Sequence, residues 1–213
     1  MRSYISYFFI YIYVIVVSFL FFHDCFVLFS GNVDFFPFVH NNGNKSGKSR
    51  EGGVPAMNAP DRAGMLRALE EAEKALAEGE IPVGAALYRG GELVWADHNR
   101  RESLKDPTAH AEMLCLRRGA EKLGDWRLKD CTLYVTLEPC PMCSGALLMS
   151  RLGRCVFAAA DPETGCCGSV YDIPADPLLH GNTVWEHGGP EKESLALLRR
   201  GFSALRRKEG DTV

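Results

Sequence analysis

Asp106-Pro-Thr-Ala-His-Ala-Glu112 is the stretch on which the interpretation of this chain depends. It places His110, whose imidazole can bind a metal ion, two residues before the carboxylate of Glu112. A His this close to a Glu is common in proteins, so the pair alone is weak evidence. Cys140 and Cys143 follow His110 by 30 and 33 residues, and these two possible metal ligands strengthen the evidence for a site. Together these residues predict a metal site around which the rest of the chain is arranged.

Short apolar runs and amphipathic helices alternate on both sides of this stretch. The predicted strands cover residues 83–88, 92–98, 131–137, 154–160 and 183–186. The predicted helices are one that ends at Gly79, one from an N-cap at Thr108 to about Gly124, one from Cys140 to about Arg151, and one from Pro190 to Lys208. The last helix is expected to bury Leu195, Leu198, Phe202 and Leu205.

This alternation predicts an α/β fold, a three-layer α/β/α sandwich with a central mixed sheet of about five strands. The sheet is mixed because Arg89-Gly-Gly91 predicts a hairpin turn between the first two strands. Both motif segments then fall at helix N-termini. We expect the first turns of those two helices to converge on one point.

Zinc is the metal that this set of side chains favours. A catalytic zinc site commonly uses three protein ligands and leaves a fourth position to water, and His110, Cys140 and Cys143 supply three. Cys140-Pro-Met-Cys143 has two other interpretations, a redox pair and half of a structural zinc site. A structural site needs a fourth ligand, and the sequence has no second Cys-x-x-Cys. A redox pair leaves His110 and Glu112 without a role, so we favour the catalytic metal.

A carboxylate beside such a metal has a specific task. A zinc-bound water has a pKa near about 7 and supplies a hydroxide at neutral pH, but its proton must be moved. Glu112 is the candidate for this proton shuttle. Glu138, which lies at a strand end before Pro139, is expected to orient a ligand or a loop.

The chain has two parts of different composition. Residues 1–56 hold four of the 24 Lys and Arg and three of the 27 Asp and Glu, which leaves residues 57–213 with a formal charge of −4. Net charge therefore does not attract a nucleic acid, and RNA binding needs a local basic patch. The C-terminal run that includes Arg206 and Arg207 is the candidate, although cations near a helix C-terminus also suit the helix dipole.

The segment from Ser3 to Phe22 contains no charged residue and is close to the length that spans a bilayer. A membrane anchor is one interpretation. The other is that residues 1–56 precede the true start, because Met57 follows a Gly-, Asn-, Lys- and Ser-rich stretch and begins a sequence of different character. We hypothesise that Met57 is the initiator and that the protein is cytoplasmic. Intact-mass measurement of the protein made from its native gene tests this, and a chain that starts at Met1 refutes it.

His-x-Glu followed by Pro-Cys-x-x-Cys is the signature of zinc deaminases. Further segments share a second pattern, and these are Glu80-Ile-Pro-Val-Gly-Ala85, Asn99-Arg100, Asp106–Glu112, Thr132–Cys143, Ser150-Arg151, Asp161-x-x-Thr-Gly165 and Gly168-Ser169. With these segments the chain resembles the bacterial tRNA-specific adenosine deaminases over about residues 60–208.

The resemblance implies a homodimer with one Zn²⁺ per subunit and no nucleotide cofactor. It implies hydrolytic deamination of adenosine to inosine at the wobble position of a tRNA anticodon stem-loop. His110, Cys140 and Cys143 resemble the zinc ligands of that family, and Glu112 resembles its proton shuttle. The remaining implied contacts are Asn99 and Val83 to the base, Asp161 to the anticodon backbone, and Arg206 and Arg207 to RNA. Arg101 stands where the family often has Pro.

Two rival functions use the same motifs. A deaminase of free guanine, cytosine or their nucleosides shares the zinc and Glu arrangement, and the segments around Asp161 and the C-terminus favour tRNA over it. A non-catalytic RNA-binding module with a structural zinc is the other rival. The presence of Glu112 argues against that module.

Overall fold

The computed structural model describes residues 57–210, with side chains up to residue 207. The expectations for residues 1–56 therefore lie outside the described residues. The helices are α1 (Ala59–Glu78), α2 (Arg101–Leu104), α3 (Ala111–Leu123), α4 (Pro141–Met149) and α5 (Glu191–Gly210). The strands are β1 (Gly84–Arg89), β2 (Glu92–His98), β3 (Cys131–Leu137), β4 (Arg154–Ala159) and β5 (Val184–His187), and Pro177–Leu179 forms a short 3₁₀ turn.

The five strands form one mixed sheet in the order β2-β1-β3-β4-β5. β1 pairs antiparallel with both β2 and β3, whereas β3, β4 and β5 are parallel. Gly90 and Gly91 both have positive φ, 58° and 86°, which is the backbone that a tight hairpin turn requires. The predicted mixed α/β sheet is confirmed.

Helix α1 covers one face of the sheet. Asn58 caps its start by accepting a hydrogen bond from the backbone N–H of Asp61 at 2.8 Å, and Gly79 ends it in the left-handed conformation with φ 79°. The core on this side consists of Met65, Ala68, Ala86, Tyr134, Val156 and Ala158. The helix lies very close to the strands, since a Cβ at Gly84 would come 2.1 Å from the carbonyl oxygen of Ala68.

Helices α3 and α4 cover the opposite face. Successive side chains of a strand point to opposite sides, so Leu133 and Val135 face these helices while Tyr134 faces α1. Leu87, Ala111, Cys115, Leu147 and Phe157 belong to the same apolar cluster. Full burial of a side chain such as Leu133 or Leu147 contributes roughly 1.5–3 kcal/mol.

Two details of the helices differ from the prediction. Thr108 is not the N-cap of α3; that position is His110, and the N–H and hydroxyl of Thr108 instead donate to the Asp106 carboxylate at 2.8 and 2.7 Å. Phe202 is 48% exposed rather than inward. The buried stripe of α5 passes through Leu197, Leu198 and Gly201, because Gly201 lies directly against the Pro82 ring.

The seven cysteines of the described part of the chain are free. Cys166 and Cys167, adjacent in the loop after β4, are buried. None of the helices within residues 57–210 combines the length and the apolar character that crossing a bilayer requires.

Candidate metal centre and active site

Two helix starts bring the predicted metal ligands together. His110 is the N-cap of α3 and Cys140 is the N-cap of α4, and both have extended backbone (ψ 153° and 176°). Cys143 follows in the first turn of α4 and is fully buried. Pro141 at the first helical position gives up no hydrogen bond, because that N–H has no partner within a helix. The two segments therefore meet as the alternation of strands and helices predicted.

The geometry of the three side chains fits a tetrahedral zinc ion. Nδ1 of His110 lies 3.7 Å from Sγ of Cys140 and 3.5 Å from Sγ of Cys143, and all three ligand atoms lie within 4.8 Å of one another. Zinc bonds of about 2.3 Å to sulfur and about 2.0–2.1 Å to nitrogen, at the tetrahedral angle, require N···S separations of about 3.6 Å. The described residues thus present one nitrogen and two sulfurs at the spacing of a three-ligand zinc site.

The protonation state of Cys140 suits a metal. A hydrogen bond from the Cys143 thiol, together with the neighbouring imidazole of His110, lowers the pKa of Cys140 to about 4. The contact with Cys140 in turn raises the pKa of His110. Cys140 is therefore a thiolate at neutral pH, and the thiolate is the form of cysteine that binds metals.

Glu112, two residues after His110, is the buried carboxylate on the helix that His110 begins. It lies in the first turn of α3, is 4% exposed, and makes no ion pair with a Lys or Arg of the described residues. Burial raises the pKa of the Glu112 carboxyl, and the adjacent Cys140 thiolate acts in the same direction. On a regular helix, side chains two positions apart point in directions about 200° apart, so His110 and Glu112 could not lie on the same face. The conflict is resolved because His110 precedes the first helical residue.

Asn99 and Val83, the expected base contacts, lie side by side. Both are buried, and the backbone N–H of Asn99 donates to the carbonyl of Val83 at 2.9 Å. The N–H of the next residue, Arg100, donates to the carbonyl of Ala109 at 2.9 Å, immediately before His110. Backbone hydrogen bonds therefore connect both residues to the segment that carries the imidazole.

The loop that contains Asp161 is held by Glu138. This carboxylate, 2% exposed, accepts from the backbone N–H groups of Asp161, Cys167 and Ser169 at 2.9–3.0 Å and from the hydroxyl of Ser169. Glu138 thus orients a loop, the role expected from its position. The carboxylate of Asp161 accepts from Glu163 and Thr164 within the same loop.

Arg206 and Arg207 are exposed on α5. Helix α5 packs mainly against α1 and β4, so these two cations are not part of the metal cluster.

The sequence interpretation gave no role to Glu80, which the structure places beside Asn99. The Asn99 amide donates to a carboxylate oxygen of Glu80 at 3.3 Å, and Glu80 is 2% exposed. The sequence shows an acid directly after the helix-ending Gly79, and that pattern does not distinguish a buried side chain from a solvated one.

Comparisons with known proteins agree with this geometry. Residues 59–159 match the model of the cytidine and deoxycytidylate deaminase zinc-binding region. A tRNA-specific adenosine deaminase of Bacillus subtilis (strain 168) is 42% identical over 149 residues, which cover 70% of this chain and 92% of that protein. A tRNA-specific adenosine deaminase of Aquifex aeolicus is 45% identical over 139 residues, which cover 65% of this chain and 91% of that protein.

A solved structure from a study of A-to-I editing by tRNA A34 deaminases at the wobble position has a TM-score of 0.62 and 38% identity. It covers 64% of this chain and 99% of its own. A guanine deaminase structure from Nitrosomonas europaea has a TM-score of 0.59 and 26% identity, and covers 70% of this chain and 88% of its own.

Proposed function

Because the chain belongs to the tRNA-specific adenosine deaminase family of zinc deaminases, we propose that it converts adenosine to inosine by hydrolysis at the wobble position of tRNA anticodons. The observation that carries the proposal is the convergence of His110, Cys140 and Cys143 at the start of the helix that holds the buried Glu112. We assign residues 57–213 as the deaminase domain, since the described helices and strands lie between residues 59 and 210.

His110, Cys140 and Cys143 hold the zinc ion in this proposal. When bound, zinc supplies a water acidic enough to act as a nucleophile at neutral pH. Glu112 would move the protons: it would take one from that water and give it to the ring nitrogen beside C6 as the water oxygen bonds to C6. It would then take the proton of the resulting C6 hydroxyl and pass it to the exocyclic nitrogen, so that the C6–N bond breaks, ammonia leaves and the C6 carbonyl of inosine forms. The burial of Glu112 favours this proton transfer because it raises the pKa of the carboxyl. A carboxyl with a raised pKa holds a proton nearer neutral pH and can then donate it to the substrate.

The adenine must leave its stack to reach such a buried centre, which is the general solution for enzymes that react with a base. Val83 and Asn99 are the proposed contacts to the extruded base. Both are buried and are joined by backbone hydrogen bonds to the segment before His110.

The contacts to the rest of the RNA are proposed at two places. Asp161 contacts the anticodon backbone from a loop that Glu138 fixes relative to the start of α4. Arg206 and Arg207 supply an exposed positive patch for phosphates, as expected of a domain whose net charge does not attract RNA. A tRNA substrate is consistent with the cytoplasmic location expected from the sequence.

A homodimer is the proposed assembly. The exposed part of α4 is apolar: Met149 at its end is 72% exposed, and Leu178, in the 3₁₀ turn, is 84% exposed. The segment that follows this turn lies against α4, since a Cβ at Gly181 would come 3.2 Å from Leu148. Exposed large apolar side chains on adjoining segments are typical of an interface.

Deamination of free guanine is the second candidate, and the likeness to a guanine deaminase structure supports it. The greater identity to tRNA-specific adenosine deaminases favours the tRNA substrate.

The experiment that separates the two uses the full chain and four substrates. These are an anticodon stem-loop with a wobble adenosine, free adenosine, free cytidine and free guanine. We expect inosine from the stem-loop alone. Glu112→Ala should lower the rate by about 10²–10⁴-fold with zinc retained, the usual size of a general acid–base contribution. Glu121→Ala, an exposed glutamate on the same helix, is the matched control. If the protein deaminates guanine but not the RNA, its function is that of the second candidate, a guanine deaminase.

A further inference from the structure

We propose that Glu80 is a positioning residue that fixes the orientation of the Asn99 amide, so that one amide N–H and the carbonyl oxygen Oδ1 remain for the N7 and N6 edge of the target adenine. The inference rests on the proposed function, because it needs the target adenine to lie beside Asn99. It assigns a role to a buried acid that the metal chemistry does not use.

The end of α1 delivers Glu80 to this place. Gly79 turns the chain in the left-handed conformation, and the backbone N–H of Glu80 then donates to the carbonyl of Ala75 at 2.9 Å. This turn directs the chain back across the end of the helix, and the Glu80 side chain is 2% exposed. The carboxylate is therefore held within the protein rather than in solvent.

The Glu80 carboxylate is satisfied by N–H groups. It accepts from the backbone N–H of Ser103 at 2.7 Å, from that of Glu102 at 3.1 Å and from Nδ2 of Asn99 at 3.3 Å. Burial raises the pKa of Glu80, but the backbone hydrogen bonds from Ser103 and Glu102 outweigh it and the net pKa is lowered. The group is an anion at neutral pH, and an anionic carboxylate can only accept hydrogen bonds.

This restriction determines how the Asn99 side chain is placed. An asparagine amide has a donor end and an acceptor end of nearly equal shape, and its hydrogen-bond partners choose between the two orientations. Against a carboxylate only the NH₂ end is favourable. One of the two N–H groups is used by Glu80, and the second N–H and Oδ1 stay available. That pair is the one with which an amide reads N7 and the N6 amine of adenine.

The remaining freedom of Asn99 is small. Its backbone N–H is held by Val83, and the following N–H, from Arg100, is held by Ala109. The backbone is thus fixed on both sides. A 180° rotation of the side-chain amide, which exchanges Oδ1 and Nδ2, is the main way in which Asn99 can present the wrong hydrogen-bonding groups to the base. Glu80 removes that alternative.

Glu80 also has a purely structural interpretation, because its bonds to Glu102 and Ser103 hold the start of the four-residue helix α2. Glu80→Gln distinguishes the two roles. A glutamine keeps the shape and one acceptor oxygen, but its NH₂ group can donate to Oδ1 of Asn99 and so tolerates the flipped amide.

The test measures kcat/KM of the full chain on two anticodon stem-loops, one with a wobble adenosine and one with 7-deazaadenosine, which lacks the N7 acceptor. We expect the wild type to prefer adenosine by about tenfold, a typical value for one good base contact. Asn99→Ala and Glu80→Gln should each reduce this preference to about twofold or less. Glu138→Gln, a second fully buried carboxylate that binds backbone N–H groups but does not contact Asn99, should lower activity and keep the preference.

Each outcome has a defined meaning. If Asn99→Ala removes the preference and Glu80→Gln keeps it, Glu80 is structural only and the inference is wrong. If the wild type deaminates both stem-loops equally, Asn99 does not read N7 and the inference fails while the proposed function stands. If the wild type deaminates neither RNA, the proposed function itself fails. Circular dichroism and zinc content of each variant confirm that the comparison is between folded proteins.

Discussion

At the scale of single residues, the chemistry depends on where a helix begins. His110 directs its imidazole at Cys140 and Cys143 because it precedes the first helical residue, and Glu112 is buried in the first turn of the same helix. If α3 began at Thr108, as the sequence predicted, His110 and Glu112 would point about 200° apart. Thr108 instead belongs to a turn that precedes the helix, in which its N–H and hydroxyl donate to the Asp106 carboxylate.

A single thiol should therefore decide whether the metal binds. We expect Cys143→Ser to lower the bound zinc from about one ion per subunit to a small fraction and to remove activity, because only two of the ligands remain. Cys115→Ser is the matched control, since that buried thiol donates to the carbonyl of Ala85 and a serine can do the same. Zinc content by mass spectrometry of the purified proteins measures the effect. Full zinc in Cys143→Ser contradicts the ligand assignment.

The residue types of the metal site could be predicted from the sequence because zinc chemistry restricts them to a few side chains at short spacings. Glu80 could not be given a role in the same way. Its partners, Asn99 and the N–H groups of Glu102 and Ser103, lie 19 to 23 residues away in sequence. The turn at Gly79 and the β1–β2 hairpin, which sets Asn99 against Val83, together bring these groups into contact, and the sequence does not encode the direction of a buried side chain at that point.

At the scale of elements, a partly buried ion pair connects α1 to the sheet. The guanidinium of Arg154 on β4 contacts both carboxylate oxygens of Asp61 at 2.6 and 2.9 Å, and the hydroxyl of Tyr134 on β3 donates to the same carboxylate at 2.7 Å. Arg154 also contacts Glu186 on β5. One carboxylate thus joins the first turn of α1 to the two central parallel strands.

Asp61→Asn should lower the free energy of unfolding by roughly 1–3 kcal/mol at pH 7, because a neutral amide replaces the carboxylate that faces the Arg154 guanidinium. The hydrogen bonds from Arg154 lower the pKa of Asp61, so its folded pKa lies below its unfolded pKa. The stabilisation is therefore complete above about pH 5 and is lost as the pH falls through the folded pKa. Urea denaturation at several pH values should show the gap between wild type and variant narrowing in acid.

Glu70→Gln provides the control for this pH dependence. Glu70 pairs with Arg67 on the exposed side of α1, where its side chain is 63% exposed. Such a pair contributes about 0–1 kcal/mol. If the difference in unfolding free energy between wild type and Asp61→Asn stays constant from pH 7 to pH 3, the proposed link between the ionisation of Asp61 and stability is wrong.

Element bounds were predictable where local chemistry determines them. Strands β2 and β3 have the predicted bounds, because turn residues and β-branched runs define their ends. The inward face of α5 was not predictable to the same degree. Phe202 fits a helical repeat with Leu195 and Leu198, but Gly201 packs against Pro82, and that contact turns Phe202 outward.

At the scale of the whole molecule, the proposed homodimer and the active site share one helix. Helix α4 begins at the metal cluster and ends at the exposed Met149. An interface on its outer face would place the partner subunit on the helix that carries two of the proposed zinc ligands. In a twofold interface each substituted residue occurs twice. A charge introduced at the centre of the interface is therefore removed from water and also repels the same charge on the partner subunit.

Met149→Glu should therefore separate the subunits. We expect the dissociation constant to rise by at least about a hundredfold, which corresponds to roughly 3 kcal/mol for two buried, unpaired carboxylates. Sedimentation equilibrium of the full chain measures it directly. Leu66→Glu is the matched control, since Leu66 is 50% exposed on α1, on the other face of the sheet, and should leave the mass unchanged. A wild type that is monomeric at every concentration refutes the assembly, and a dimer that survives Met149→Glu but not Leu66→Glu moves the interface to α1.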